Sequence, residues 1–238
     1  MNNRREALKL LGFSAVALTA GGATSAALAQ QQSTPSIGSA FAANTPIKPL
    51  NFQADQLDGI SETVITSHHQ NNYAGSVRAM NAVKERLEAA LADDTMPAYV
   101  YNDLKREHLM RTGSVVLHEL YFDNLAPPGN RNGELDRALA SSFGSFTAWE
   151  KEFRRIASGL GGGSGWVMLA WNHQLGTLEN YWMADHTNSP AYASPLLVMD
   201  MYEHSYHMDY CAAAGGYIDA FMRNVNWEVV ARRFADAV

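Results

Sequence analysis

One cysteine, Cys211, is all that the 238 residues contain. No disulfide within the chain and no cysteine-rich metal site can form, and Cys211 reads as a small buried apolar residue. Positive charge is also scarce. Lys and Arg number 18 against 24 Asp and Glu, a formal net charge of -6, so no broad basic face meets the phosphates of a nucleic acid. A small anion needs only a local positive field and is not excluded. Several motifs are missing. The glycine-rich loop Gly159–Gly165 lacks a following Gly-Lys-Ser/Thr and precedes a strand-like run, so it is not a phosphate loop. No His-Glu-x-x-His and no Glu-x-x-His occurs, which removes zinc-protease and di-iron carboxylate readings. The serines lack a nucleophile elbow. Apolar residues make up 47%, which suits a packed core.

Long apolar runs are absent too, except for a weak one at the start. Met1–Ala29 reads as an export signal: the pair Arg4-Arg5, an apolar stretch from Leu10 to Ala20, and small residues at Ala27-Leu28-Ala29. Cleavage is expected before Gln30. Ser14, Thr19, Gly21, Gly22, Thr24 and Ser25 dilute the stretch and weigh against a membrane anchor. A twin-arginine signal is an address for export of folded, often cofactor-loaded cargo. The expected location is therefore periplasmic or secreted, without stable membrane insertion.

The mature chain divides by pattern. Residues 30–56 form an extended arm rich in Ser, Thr, Ala and Pro, without periodicity up to Lys48. Residues 57–128 read as an α-helical hairpin. Val64, His68, Val77, Met80, Lys84, Leu87 and Leu91 recur at helical steps, Asp93–Pro97 breaks the pattern, and a second helix runs from Tyr99 to Asn124. Residues 129–238 read as an α+β region. Helices are expected at Glu134–Ser142 and Ser145–Ser158, strands at Trp166–Trp171, Thr177–Met183 and Leu196–Met199, and helices again at Tyr202–Ala212 and Tyr217–Ala235.

Among eight histidines, spacing singles out few. Asp200 and His204 are four apart and would share one face of a helix. A carboxylate beside imidazoles suits iron, manganese or zinc, although an exposed helix pair has the same spacing. His68 and His118 lie in helical patterns among apolar neighbours, where a buried histidine bonded to backbone is the plainer alternative.

Six segments in order resemble the iron/manganese superoxide dismutases. Ile60-Ser61 is followed by His68 and then Asn81 at the family's distances, which selects His68 over His69. His118-Glu119-Leu120-Tyr121-Phe122-Asp123-Asn124-Leu125-Ala126-Pro127 is similar to the second ligand segment. Phe143-Gly144-Ser145-Phe146 and Gly163-Ser164-Gly165-Trp166 match two further signatures. Asp200-Met201-Tyr202-Glu203-His204-Ser205-Tyr206 resembles Asp-x-Trp-Glu-His-Ala-Tyr, with Tyr202 where Trp is usual, and Asn226-Trp227 matches the last helix.

The resemblance implies an α+β fold: an N-terminal helical hairpin domain and a C-terminal domain with a three-stranded antiparallel sheet. It implies one iron or manganese ion per subunit, held by His68, His118, Asp200 and His204, and superoxide as substrate. It places Tyr121, Trp166 and Ser76 around the ligands. It also implies a homodimer, with Glu203 reaching the partner's ligand histidine. The glutamine that members place near the ion is absent. Ser114 holds the helical position, and His186, in the loop Ala184–Asn188, is the expected donor instead. Other positions depart as well. Ser76 replaces the gateway tyrosine, Asn72 and His207 replace an interface pair, and Asn71 and Ala214 stand where basic residues guide substrate. Arg78 or Arg111 could restore a positive mouth. These departures support a second reading, a metal-binding paralogue with weak or no dismutase activity. Phe122 and Met168 replace tryptophans that would help choose between iron and manganese.

Overall fold

The computed structural model describes residues 38–129, 131 and 133–238. The export-signal reading of Met1–Ala29 lies outside them. From Gly38 the arm runs without regular structure apart from two short 3-10 turns, Ser39–Phe41 and Ala54–Gln56. Side chains of the helices hold it down. Asn81 exchanges two hydrogen bonds with the Thr45 backbone (3.1 and 3.0 Å), and the Tyr73 hydroxyl accepts from Lys48 N at 2.9 Å.

Ser61 starts α1 (Glu62–Ser67) by accepting a hydrogen bond from Val64 N, which satisfies one of the free donors at a helix start. A π turn, His68–Tyr73, joins α1 to α2 (Ala74–Leu91) without a break. The periodic pattern does not show this turn, because it adds one residue and leaves no mark in composition. It carries the buried face from His68 to Tyr73 in a five-residue step. α3 (Ala98–Asp123) packs back along α2. Only its C-terminal half is buried, and Tyr99 and Leu109 near its start are exposed.

In the second half, α4 (Glu134–Phe143) stops at Gly144, whose φ of 86° suits a residue without a side chain. Ser145 caps α5 (Phe146–Leu160). Strands β1 (Trp166–Asn172), β2 (Thr177–Met183) and β3 (Ala193–Asp200) form an antiparallel sheet in the order β2-β1-β3. β3 starts earlier than the expected Leu196 because Pro195, which argues against a strand, sits on an edge strand. There it faces Ala170 at an irregularity in register. β1 is central, and its first five residues are buried.

The C-terminal third differs from the expected helices. In place of a helix over Tyr202–Ala212 there is a 3-10 turn, Glu203–Ser205, and one turn of helix, α6 (His207–Tyr210). Cys211 follows, exposed rather than buried, with φ 47°. The last helical segment is two helices, α7 (Ala214–Arg223) and α8 (Trp227–Ala237). The break falls where Val225 bridges to Leu125 and buried Asn224 bonds to the backbone of Asp58 and Ala220. α5 and α8 cover the sheet, and α3 packs on β3. Buried Asn124, at the end of α3, donates to Leu196 O and accepts from Val198 N, at 3.1 and 3.0 Å. One amide thus fixes the helical hairpin to the strand that ends at Asp200. Among the described residues no helix is long and apolar enough to cross a membrane.

Candidate metal centre

Four elements deliver four donors to one point. His68 opens the π turn, His118 lies on the buried end of α3, Asp200 ends β3, and His204 follows in the 3-10 turn. One donor atom from each lies within 4.8 Å of all the others. The Asp200–His204 pair does not sit on a helix. The chain leaves the strand and folds over the carboxylate, with Tyr202 N donating to Asp200 Oδ1 (2.8 Å) and Ser205 Oγ to Asp200 O (3.0 Å). Turn and helix both bring residues four apart together, so spacing alone could not separate them.

His68, His118 and Asp200 are buried, while the His204 side chain is about a quarter exposed, at 26%. Asp200 Oδ2 lies 3.1 Å from His68 Nε2, 3.2 Å from His204 Nε2 and 3.7 Å from His118 Nε2. Burial presses the Asp200 carboxyl upward, but the His204 charge and hydrogen bonds from His204 and His68 outweigh it and hold the group well below the usual carboxylate range. Burial keeps His68 neutral and pushes His118 down to about 3, with His68 adding to the effect.

The donor chemistry fits a cation. His118 Nδ1 lies 2.6 Å from the Ser114 carbonyl oxygen, which can only accept, so Nδ1 carries the proton. Nε2 of the neutral ring is then a bare lone pair, buried, without a hydrogen-bond partner and facing a carboxylate oxygen. Two buried acceptors turned on each other are costly unless a positive charge lies between them. An N3O donor set suits iron, manganese or zinc.

Two of the four, His118 and His204, reach the lining of an open cavity of about 450 Å³, and His68 and Asp200 are buried behind them. Its lining also includes Asn71, Asn72 and Ser76 from the π turn and α2, Arg111 and Ser114 from α3, and His186 and Tyr202. The Ser76 and Ser114 hydroxyls are 2.8 Å apart, and Ser114 Oγ is 3.3 Å from His118 Nδ1. Tyr73 is elsewhere. It is buried under the arm, donates to Glu119 at 3.0 Å, and its hydroxyl is pushed up to about 12 by burial. Tyr121 also stays out of the cavity. Its ring packs on His68, and its hydroxyl lies 3.2 Å from that of Tyr217. Tyr217 in turn donates to Asp200 O at 2.8 Å.

His186 is held tightly. The Trp166 indole donates to His186 Nδ1 at 2.9 Å. An indole N–H can only donate, so Nδ1 accepts and the proton of the neutral ring sits on Nε2. Burial favours that neutral form. Tyr202 stacks on His186 with ring centroids 4.8 Å apart, and also stacks on His204 at 5.4 Å. Beneath the loop is Gly113, in the middle of α3, where a glycine weakens a helix. A Cβ there would lie 1.8 Å from the His186 carbonyl oxygen. Gly113 belongs to no motif, and its only signal in the sequence is a glycine interrupting a 26-residue helix; Tyr202 stands out in the sequence only as a replacement for Trp, with no sign of its stacking. Of the proposed interface residues, Glu203 and His207 are exposed on either side of His204, and Asn72 is half-buried at the cavity wall.

Comparison with known proteins agrees with this geometry. Residues 131–233 match the family "Iron/manganese superoxide dismutases, C-terminal domain". The superoxide dismutase [Fe] of Cupriavidus metallidurans is 47% identical over 192 residues, covering 81% of this chain and 97% of that protein. Superoxide dismutase [Mn] 2 of Haloferax volcanii is 33% identical over 201 residues, 81% of this chain and 96% of its own. A superoxide dismutase [Mn/Fe] from Propionibacterium freudenreichii is 32% identical over 186 residues, 75% of this chain and 90% of its own.

Proposed function

This chain belongs to the iron/manganese superoxide dismutases, and we propose that it converts superoxide to dioxygen and hydrogen peroxide at one metal ion held by His68, His118, Asp200 and His204. The observation that carries this reading is the convergence of three imidazole Nε2 atoms on buried Asp200 Oδ2, with His118 Nε2 otherwise unpartnered. An iron or manganese ion held there would supply the one-electron couple for the two half-reactions, superoxide to dioxygen and superoxide with two protons to hydrogen peroxide.

The chain's own residues do the rest. Asp200 sets a negative charge against the ion and favours its higher oxidation state. The neutral imidazoles leave the lower state accessible. Product formation needs protons held close by. His186 presents an N–H at Nε2 because Trp166 occupies Nδ1, and we assign it the donor role that a glutamine has elsewhere in the family. The Ser76–Ser114 hydroxyl pair adds a second polar group to the same cavity. The relatives are described as iron, manganese and mixed enzymes, so both metals belong in the test.

Two further parts of the proposal stand on sequence features. Arg4-Arg5 and the segment behind it support export through the twin-arginine route to the periplasm or beyond; fractionation of a strain carrying Arg4→Lys/Arg5→Lys, with precursor retained in the cytoplasm, would support it. Exposed Glu203 and His207, flanking His204, support a homodimer that closes over the cavity with Asn72; sedimentation of Glu203→Ala should show a shift to monomer.

The competing reading is a paralogue that holds metal and dismutates weakly. The uncharged wall of Asn71, Asn72 and Ser76 motivates it. Superoxide decay catalysed by the mature protein, loaded separately with iron and manganese, separates the two. Fast decay with one metal, lost in His118→Ala, supports the enzyme. Decay no faster than that control at full metal occupancy leaves only the storage reading.

A further inference from the structure

We infer that Arg111 is the residue that draws the anionic substrate into the cavity, and that Glu107 sets how much of its charge is felt. The inference rests on the dismutase reading above.

Three observations place Arg111 in this role. First, Arg111, Ser114 and His118 are spaced three and four apart on α3, so they share one face, and all three line the cavity. Second, Arg111 is the only lysine or arginine among the described residues that line it. Arg78, the other candidate for a positive mouth, is exposed and does not line it. Third, the Arg111 side chain is open to solvent, at 38% exposure, more than either ligand that lines the cavity, His204 or buried His118. Its charge also reaches His186, which it presses, as the weakest of several influences, towards the neutral form.

The charge matters because the rest of the molecule works against it. The chain carries a formal net charge of -6, so an approaching anion is repelled at long range. A local cation at the mouth has to offset that field over the last few ångströms, inside one Debye length.

Glu107 opposes it. Its carboxylate accepts from Arg111 Nε at 2.7 Å, one turn back along α3, and is itself 44% exposed. The bond uses Nε, and among the described residues neither terminal nitrogen of the guanidinium has a hydrogen-bond partner. It also places a negative charge beside the one lysine or arginine among the described residues that line the cavity. The pair therefore orients Arg111 and damps it at once. A purely structural ion pair would predict that losing either partner has the same sign of effect. The present inference predicts opposite signs.

The test uses the metal-loaded full-length mature protein in the second-order regime, with rates measured from low to high ionic strength. Arg111→Ala should lower the rate constant about two- to fourfold at low salt, the scale expected for one unit charge acting through water near 10 Å. Its logarithm should rise more steeply, or fall less, as salt is added. Glu107→Gln should raise the rate by a similar factor and make it fall more steeply with salt. Arg111→Lys should retain most of the rate. Arg106→Ala, on the same helix but outside the cavity, is the control and should change nothing. A second readout avoids turnover: azide affinity of the iron-loaded protein, followed by absorption, should weaken in Arg111→Ala and strengthen in Glu107→Gln. If wild type dismutates but these variants share its salt slope and azide affinity, the inference falls and the enzyme reading stands. If wild type does not dismutate, the enzyme reading falls, and the azide series alone decides whether Arg111 gathers anions.

Discussion

The floor and the mouth of the cavity follow different rules. The floor is the metal centre of His68, His118, Asp200 and His204, three of them buried, each aimed at one point, and of these only His118 and His204 reach the cavity lining. The mouth is made of Asn71, Asn72, Ser76, Arg111, His186 and Tyr202, partly open to solvent. At the floor each group has one partner set and one geometry, because a buried donor or acceptor has no water to fall back on. At the mouth a charge or hydroxyl can arrive from any lining position. That is why the floor follows the motif spacing read in the sequence, whereas the mouth departs from it at Asn71, Asn72 and Ser76.

The comparison breaks most sharply at the floor. His118→Ala should cost more than about a hundredfold in metal affinity, since partners one layer further out already cost about 10–100-fold. Metal content per chain after dialysis checks this. If metal is retained, the ligand assignment is wrong. One layer out, His186→Ala should keep the metal but lower the rate about tenfold to a hundredfold and shift the metal's absorption. An unchanged spectrum and rate would remove His186 from the mechanism.

Smaller effects sharpen the contrast. Gly113→Ala should improve local helix propensity by about 1 kcal/mol yet destabilise by about 1–3 kcal/mol overall, because the new Cβ meets the His186 carbonyl oxygen. Urea midpoints and Trp166 fluorescence would record it. A gain in stability would mean that the loop is not held against α3. The last effect is on acid sensitivity. His118 is held down to about 3 in the folded chain and His68 is also lowered, while both protonate near pH 6.5 when unfolded. Above pH 6.5 neither state takes the proton. Below it the unfolded chain binds more protons, so stability falls with falling pH. The metal-free protein should lose about 1 kcal/mol per pH unit below 6.5 through His118, with His68 acting in the same direction, read from urea melts between pH 7.5 and 5. A flat profile would place these rings in contact with water.

The floor was legible in sequence because its residues fall within motifs of fixed spacing. The backbone that carries them was less so. Asp200 and His204 are compatible with a helix and with a strand-to-turn corner, since both bring residues four apart together. The π turn at His68 adds a residue to a helix without changing its composition. Pro195 hid the start of β3, because its edge position depends on which strands are neighbours. Tyr217–Ala235 read as one helix, because the break at Asn224–Asn226 is made by partners far away at Asp58 and Leu125. Arg111 was one of two candidates until the cavity wall chose between them. Gly113 had no visible reason until the loop above it was placed. In each case the missing information was the identity of a distant neighbour.

The amide of Asn124 has a consequence for how the protein is made. It bonds the end of the helical hairpin to Leu196 and Val198, just ahead of a ligand, Asp200, that is 132 residues along the chain from His68. Closing so long a loop is slow and comes late in folding. Until it closes, the chain offers two histidines in one place and a carboxylate in another, and no place that holds an ion. Metal capture should therefore be the final event of folding, so that the rate of metal uptake by refolding chains reads out completion of the whole fold.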